Sequence, residues 1–397
     1  MKQKRLTFLL LLISNLFCAS AQKWYKPEID LKVEELLSQM TVEEKLGYIG
    51  GIDWMYTKSI DRLGIHRMRM SDGPQGIGTK GKSTAYPATV TLAATWNENL
   101  AYQYGKALGR DCRARNINVI LGPAVNIYRA PMCGRNFEYM GEDPYLTSRI
   151  CVGYIKGVQD QGVMATVKHF VANNSDYDRN NISNDIDERT LNEIYFPAYK
   201  AAIQEAEVGA IMTSYNLMNG IYTTENPWLL KEVLRNQWGF KGLVMSDWGS
   251  THYCVPAARS GLDLEMAGGE KMNPKDMAYY LKTGDVTMDM VDEKVRHILR
   301  ILIAFGFKDG TEADKSIALD DPQSVETALN VAREGLVLLK NENNILPINP
   351  QKYKHIIVTG KNAHGYVHGG GSGAVVPFHY TTVSYTHLRA HETSQDL

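Results

Sequence analysis

Gly242-Leu243-Val244-Met245-Ser246-Asp247-Trp248-Gly249 decides how the rest of the chain is read. An apolar run suited to a buried strand ends in a carboxylate and an indole, and a glycine then turns the chain away. Two earlier stretches follow the same plan. Residues 64–70 run into Ser71-Asp72-Gly73-Pro74, and residues 163–167 run into Lys168-His169-Phe170. Strands that alternate with amphipathic helices and deliver polar side chains at their ends describe an α/β protein. The expected architecture is a (β/α)8 TIM-like barrel with its site on the carboxyl face.

The intervening sequence supports that order. Thr41 and Glu44 form a capping box, and Asn97 caps a helix reaching to about Arg115. Residues 118–121 read as a strand leading into Gly122-Pro123, residues 144–158 as a helix, and residues 187–206 as a helix with acidic residues in its first turn. Residues 210–213 form a strand reaching Tyr215 and Asn216. A helix over 227–238, a short strand over 262–266 and a helix over 287–305 complete the series. About six strand–helix units are legible, where a complete barrel has eight.

The barrel is expected over residues 28–307, followed by a polar linker over 308–323. A helix over 324–333, strands over 337–340 and 356–359, and a glycine-rich turn over 368–373 then read as the start of an α/β sandwich domain, incomplete within residues 324–380. Residues 381–397 lose the strand–helix pattern and read as a non-native or disordered tail. At the other end, Lys2, Lys4 and Arg5 precede a short apolar run and Ala19-Ser20-Ala21. Residues 1–21 thus read as a cleaved signal peptide, with periplasmic or secreted localisation expected and Gln22 as the first mature residue. Bulky Phe17 before Cys18 disfavours lipidation.

The chain has 397 residues, 44% hydrophobic and 22% charged, with 43 basic against 44 acidic side chains and a formal charge of −1. This balance gives no electrostatic case for nucleic acid, and no membrane span is legible. Oligomeric state is left open. Cys112, Cys133, Cys151 and Cys254 remain after the leader; they match no zinc spacing, and buried free thiols account for them as well as disulfides do. No cofactor or metal is expected.

Each polar position has a plain structural reading when taken alone. Asp247 could cap a helix, and Asp72 could serve only its turn. As chemistry, a carboxylate at a strand end beside an indole suits attack on an anomeric carbon while the ring stacks on a sugar face. Lys168 and His169 can hold neighbouring hydroxyls. Arg135, in Cys133-Gly134-Arg135-Asn136-Phe137-Glu138, offers a fork that suits either hydroxyls or an ion pair. Gly369-Gly370-Gly371-Ser372-Gly373 lacks the lysine of a phosphate loop, so a flexible or closely approached turn is expected.

Together these stretches resemble the N-terminal barrel of glycoside hydrolase family 3, the β-glucosidase group. The matching segments are MSDGPQGI (70–77), GPAVNIYRAPMCGRNFEYMGEDPYL (122–146), VKHFVANN (167–174), IDERTLNEIYFPAY (186–199), MTSYNLMNG (212–220) and GLVMSDWG (242–249). GLVLLKNENNILPI (335–348) resembles the entry to the second domain. The resemblance implies Asp247 as the nucleophile of retaining hydrolysis of terminal non-reducing β-glucosyl residues. It implies Asp72, Lys168, His169, Arg135 and Arg179 around the sugar, Met212 and Tyr215 lining the pocket, and Trp248 packing beside the ring. The substrate would be a β-glucoside or oligosaccharide. The acid/base group belongs to the family's second domain, beyond where the match is lost, so no residue is named for it. Asp72 favours a hexose over a xylose. The alternatives are a β-xylosidase or arabinosidase of the same family, or a carbohydrate-binding barrel without catalysis.

Overall fold

The structure, a computed structural model, describes residues 22, 24–79, 81–349, 351–353, 355, 357, 359 and 367–378. The expected leader and the 381–397 tail lie outside the described residues, as does half of the 356–359 strand. Five strands form one parallel sheet in sequence order: β1 (Met70–Asp72), β2 (Val119–Leu121), β3 (Met164–Phe170), β4 (Ala210–Thr213) and β5 (Leu243–Met245). Except for Asp72 at the tip of β1, every residue in them is buried. Strands covered on both faces need apolar side chains on both, so their sequence shows runs rather than alternation.

Three short segments close the ring. Leu264 pairs parallel with Met245, Gly50 pairs parallel with Glu265, and Tyr56 pairs antiparallel with Ile52 and with Arg69 beside β1. The barrel is therefore complete, but the stave around Tyr56 runs against the others. A parallel neighbour needs a helical crossover, whereas an antiparallel one needs only a tight turn. For that reason no strand–helix unit is legible there.

The capping signals are realised. The Thr41 hydroxyl accepts from the Glu44 amide (3.2 Å) while the Glu44 carboxylate accepts from the Thr41 amide (2.8 Å). Asn97 caps the helix Glu98–Ala114, and Asp143 caps Pro144–Gln159. The helix expected over 187–206 is interrupted. A wide turn over Leu191–Tyr195 precedes Pro197–Gln204, because Pro197 has no amide to give the preceding turn. Helices Cys254–Ser260 and Pro274–Thr283, not expected from sequence, pack on each other, the first also against the helix Met288–Ala304 and the second against Val42–Tyr48.

Residues 308–323 are pinned to the barrel rather than slack. The Lys308 carbonyl accepts from the His66 amide (3.0 Å), and ion pairs join Arg113 to Asp314 and Arg110 to Asp321. The helix Pro322–Gly335 then lies on Glu98–Ala114. Ser324 Oγ and the Tyr86 hydroxyl donate to the two oxygens of buried Asp111 (2.9 and 2.8 Å). The strand expected over 337–340 is not formed. Its apolar residues find no sheet partner among the described residues, and Leu339 is 90% exposed. No described helix is long and apolar enough to cross a membrane. Cys112, Cys133, Cys151 and Cys254 are free thiols.

Candidate active site

The carboxyl ends of the strands open into one cavity of about 460 Å³. All nine residues singled out in the sequence line it: Asp72, Arg135, Lys168, His169, Arg179, Met212, Tyr215, Asp247 and Trp248. β1 ends at Asp72, β4 supplies Met212 with Tyr215 just beyond, and β5 leads into Asp247-Trp248. Lys168 and His169 lie within β3 rather than after it. The strand continues through these two polar residues to Phe170 because the barrel mouth admits polar side chains. Arg135 precedes the short turn Asn136–Glu138, after β2. Arg179 arrives from the loop after β3; its guanidinium sits 4.1 Å over the Tyr215 ring and 3.3 Å from Asp176.

Asp247 is held asymmetrically. Its Oδ1 accepts from the Trp248 amide (2.7 Å), whereas buried Oδ2 takes no well-formed hydrogen bond among the described residues; the Tyr215 hydroxyl lies beside the carboxyl and favours its ionised form. Burial raises the pKa of the Asp247 carboxyl, against the pull of Arg135 and Lys168. His169 Nε2 lies 3.6 Å from Oδ2, too long for a hydrogen bond. That nitrogen instead faces Arg135 Nη2 at 2.8 Å. Arginine only donates, so Nε2 accepts and the ring proton sits on Nδ1, toward Asn126 Oδ1 at 3.3 Å. Burial, with Arg135 and Lys168 nearby, holds the His169 pKa well below its usual value, so the ring is neutral. Asn126 also brackets the His169 backbone, accepting from its amide and donating to its carbonyl (both 2.9 Å).

Asp72 is pushed up to about 6 by burial and by the fields of Asp247 and Glu138, against Lys168. The Lys168 ammonium is buried too, which lowers its pKa despite Glu138. The floor of the cavity therefore holds three carboxyl groups and two permanent or near-permanent cations, all poorly hydrated. Such an array offers acceptors and donors to a ring of hydroxyls and leaves Oδ2 of Asp247 and Oε2 of Glu138 without a hydrogen bond among the described residues.

Of the two readings open for the Arg135 fork, the ion pair is formed: Arg135 Nε donates to Glu138 Oε1, while the buried Oε2 of Glu138 has no partner among the described residues. Two features escaped the sequence reading. Trp54, 65% exposed at the mouth, accepts from Trp248 Nε1 through its carbonyl (2.8 Å). Ser372, in the glycine-rich segment, accepts from Arg135 Nη2 (3.2 Å), and Gln75 Nε2 donates to the Gly373 carbonyl (3.0 Å). That segment walls one side of the cavity. A Cβ on Gly369 or Gly373 would fall 2.1 or 2.7 Å from the Phe137 ring, so the approach requires glycine. The glycine run signals such a contact, but its partner lies more than 200 positions away. Among the described residues no cluster of three or more His, Cys, Asp or Glu could hold a metal ion.

Residues 42–301 match the model of the glycosyl hydrolase family 3 N terminal domain, and residues 336–395 that of the family's C-terminal domain. A β-glucosidase of Rhizobium radiobacter is 41% identical over 364 residues, covering 90% of this chain and 44% of that protein. A β-glucosidase of Bacteroides ovatus is 41% identical over 379 residues, covering 87% and 50%. Among solved structures, β-glucosidase 3B from Thermotoga neapolitana in complex with α-D-glucose superposes with a TM-score of 0.78 at 33% identity, covering 87% of this chain and 52% of that one. The Kluyveromyces marxianus β-glucosidase in complex with glucose gives 0.82 at 34% identity, covering 90% and 44%. The chain spans about half the length of the relatives it matches.

Proposed function

Since the chain belongs to glycoside hydrolase family 3, we propose that it serves the retaining hydrolysis of terminal non-reducing β-D-glucosyl residues, with Asp247 as nucleophile. The observation that carries this reading is the buried, unpartnered Oδ2 of Asp247. The Trp248 amide fixes Oδ1, which leaves Oδ2 as the attacking atom. Attack forms an ester to the anomeric carbon as the bond to the aglycone oxygen breaks, and that oxygen takes a proton. Water then cleaves the ester, returns the carboxylate and releases β-glucose. Asp72, Lys168, His169 and Arg135 hold the sugar hydroxyls, and neutral His169 can give or take a hydrogen bond there. Arg179 and Tyr215 close one side, Met212 lines the floor and Trp248 flanks the ring.

The acid/base role is assigned to no described residue: Arg135 occupies Glu138, and the resemblance places the group in the family's C-terminal domain. Asp72 supports glucose over xylose, because its carboxylate can accept from a 4-hydroxyl and a 6-hydroxyl together. We also infer export through residues 1–21; a protein beginning at Gln22 after expression in a bacterial host supports this, and an uncleaved N-terminus overturns it. Proton NMR of the first product from an activated β-glucoside tests the reaction. β-Glucose appearing first supports retention, whereas α-glucose first, or faster release from the matched xyloside, contradicts it.

A further inference from the structure

Asp247 and Tyr215 sit on different loops, and something must fix one against the other. The three consecutive residues Thr223-Thr224-Glu225 touch both loops. Thr223 Oγ1 accepts from the Ser214 amide (3.1 Å) and donates to the Ser214 carbonyl (2.9 Å), on the loop that carries Tyr215. Thr224 Oγ1 donates to the Ser250 carbonyl (3.0 Å). Ser250 in turn donates to the Asp247 carbonyl through both its amide (3.2 Å) and its Oγ (3.0 Å). Glu225 Oε1 accepts from the amides of His252 (2.8 Å) and Tyr253 (2.7 Å). Ser214 Oγ also donates to the Val171 carbonyl (3.0 Å), on the loop that follows Lys168-His169. Thr223 and Thr224 are fully buried and Glu225 nearly so. None of the three lines the cavity.

We propose that Thr223-Thr224-Glu225 is a positioning clasp that holds the Tyr215 loop and the Asp247-Trp248 loop in one geometry, with Glu225 as its principal positioning residue. A buried carboxylate is costly unless hydrogen bonds satisfy it, and here it takes two backbone amides, five and six residues past the proposed nucleophile. Asp72, Lys168 and His169, which face the sugar, reside on β1 and β3. The clasp therefore governs the approach of Asp247 to the anomeric carbon more than the capture of the sugar. This inference rests on the proposed role of Asp247.

The test compares wild type, Glu225→Ala and Glu225→Gln. Three quantities are read: the rate of labelling by 2,4-dinitrophenyl 2-deoxy-2-fluoro-β-glucoside at saturation, the affinity for glucose, and amide hydrogen exchange. A misplacement of about 1 Å costs on the order of 100-fold in rate, so Glu225→Ala is expected to label about 100-fold more slowly. Its glucose affinity should stay within about threefold. Glu225→Gln, whose amide oxygen still accepts both amides, should restore most of the rate. Exchange should speed up in residues 247–253 and in 214–217 together. Unchanged labelling, or parallel loss of labelling and glucose affinity, overturns the proposal, as does faster exchange in 247–253 alone. Should Glu225→Ala fail to fold, Thr224→Val removes only the bond to Ser250 and faces the same criteria. If wild type takes no label, the reading of Asp247 fails, while the paired exchange response still decides whether the clasp exists.

Discussion

Two buried aspartates border the same strand and are treated in opposite ways. Asp263, beside the amino-terminal half of β5, has both carboxylate oxygens in use. Its Oδ2 accepts from the Val244 amide (2.8 Å) and from Arg235 Nη2 (2.7 Å), and its Oδ1 faces His297 Nδ1 (2.7 Å). Burial would raise that carboxyl, but His297 and Arg235 outweigh it and hold it below the usual range. Asp247, just past the carboxyl end, keeps one oxygen idle and sits above that range. The amino end of a barrel is built for stability and the carboxyl end for chemistry. A desolvated carboxylate with one oxygen left unsatisfied lowers stability, and its retention at the mouth is what marks the site.

The largest effect expected from this contrast is catalytic. Asp247→Ala should cut turnover of an activated β-glucoside on the order of 10⁴-fold or more, measured under single-turnover conditions. Its midpoint of urea unfolding should be no lower than that of wild type, because an unsatisfied buried group is gone. Asp263→Ala should do the reverse in kind, costing about 3–5 kcal/mol in urea unfolding, since it strands Arg235 and leaves the Val244 amide unmet. Equal stability losses in the two variants would erase the distinction between the ends.

Acid should also separate them. Asp263 has a depressed folded pKa, so its stabilisation is fully present above the unfolded value of 3.8 and is lost as pH falls below it. Asp72 is raised to about 6, so its ionisation disfavours the fold, with a cost that is absent below 3.8 and complete above about 6. Asp72→Asn should therefore gain stability relative to wild type at pH 7, and the gain should vanish near pH 4. Glucose affinity should fall as wild type passes below pH 6 and stay flat in Asp72→Asn. A stability gain that does not depend on pH would contradict the assignment. The smallest effect belongs to the far wall: Ser372→Ala removes one hydrogen bond from Arg135, about 1 kcal/mol, so KM for the glucoside should rise less than about tenfold.

The sequence was most legible where burial is symmetric. β1 to β5 show as apolar runs because both faces are covered, and the polar residues that end those runs mark the cavity. Legibility failed where structure depends on distant partners. The antiparallel stave at Tyr56 needs no helix and so leaves no unit to count. Residues 337–340 have strand composition but no sheet beside them among the described residues. Ser372 and Trp54 reach the site through backbone approaches that no local pattern encodes. Lys168 and His169 were found, although placed just past β3 rather than within it, since they interrupt an apolar run that the strand carries on to Phe170. The glycine run of 369–373 announced a close approach without naming Phe137 or Arg135.

The measurement that tests the central claim most directly is mass spectrometry of the protein after exposure to 2,4-dinitrophenyl 2-deoxy-2-fluoro-β-glucoside. The good leaving group needs little protonation, and the fluorine slows hydrolysis of the ester, so the intermediate accumulates. The account predicts one fluoroglucosyl unit, carried on the peptide containing Met245-Ser246-Asp247-Trp248 and absent in Asp247→Ala. A label on Asp72, Glu138 or any other residue, or a folded protein that binds glucose and takes no label, would contradict it.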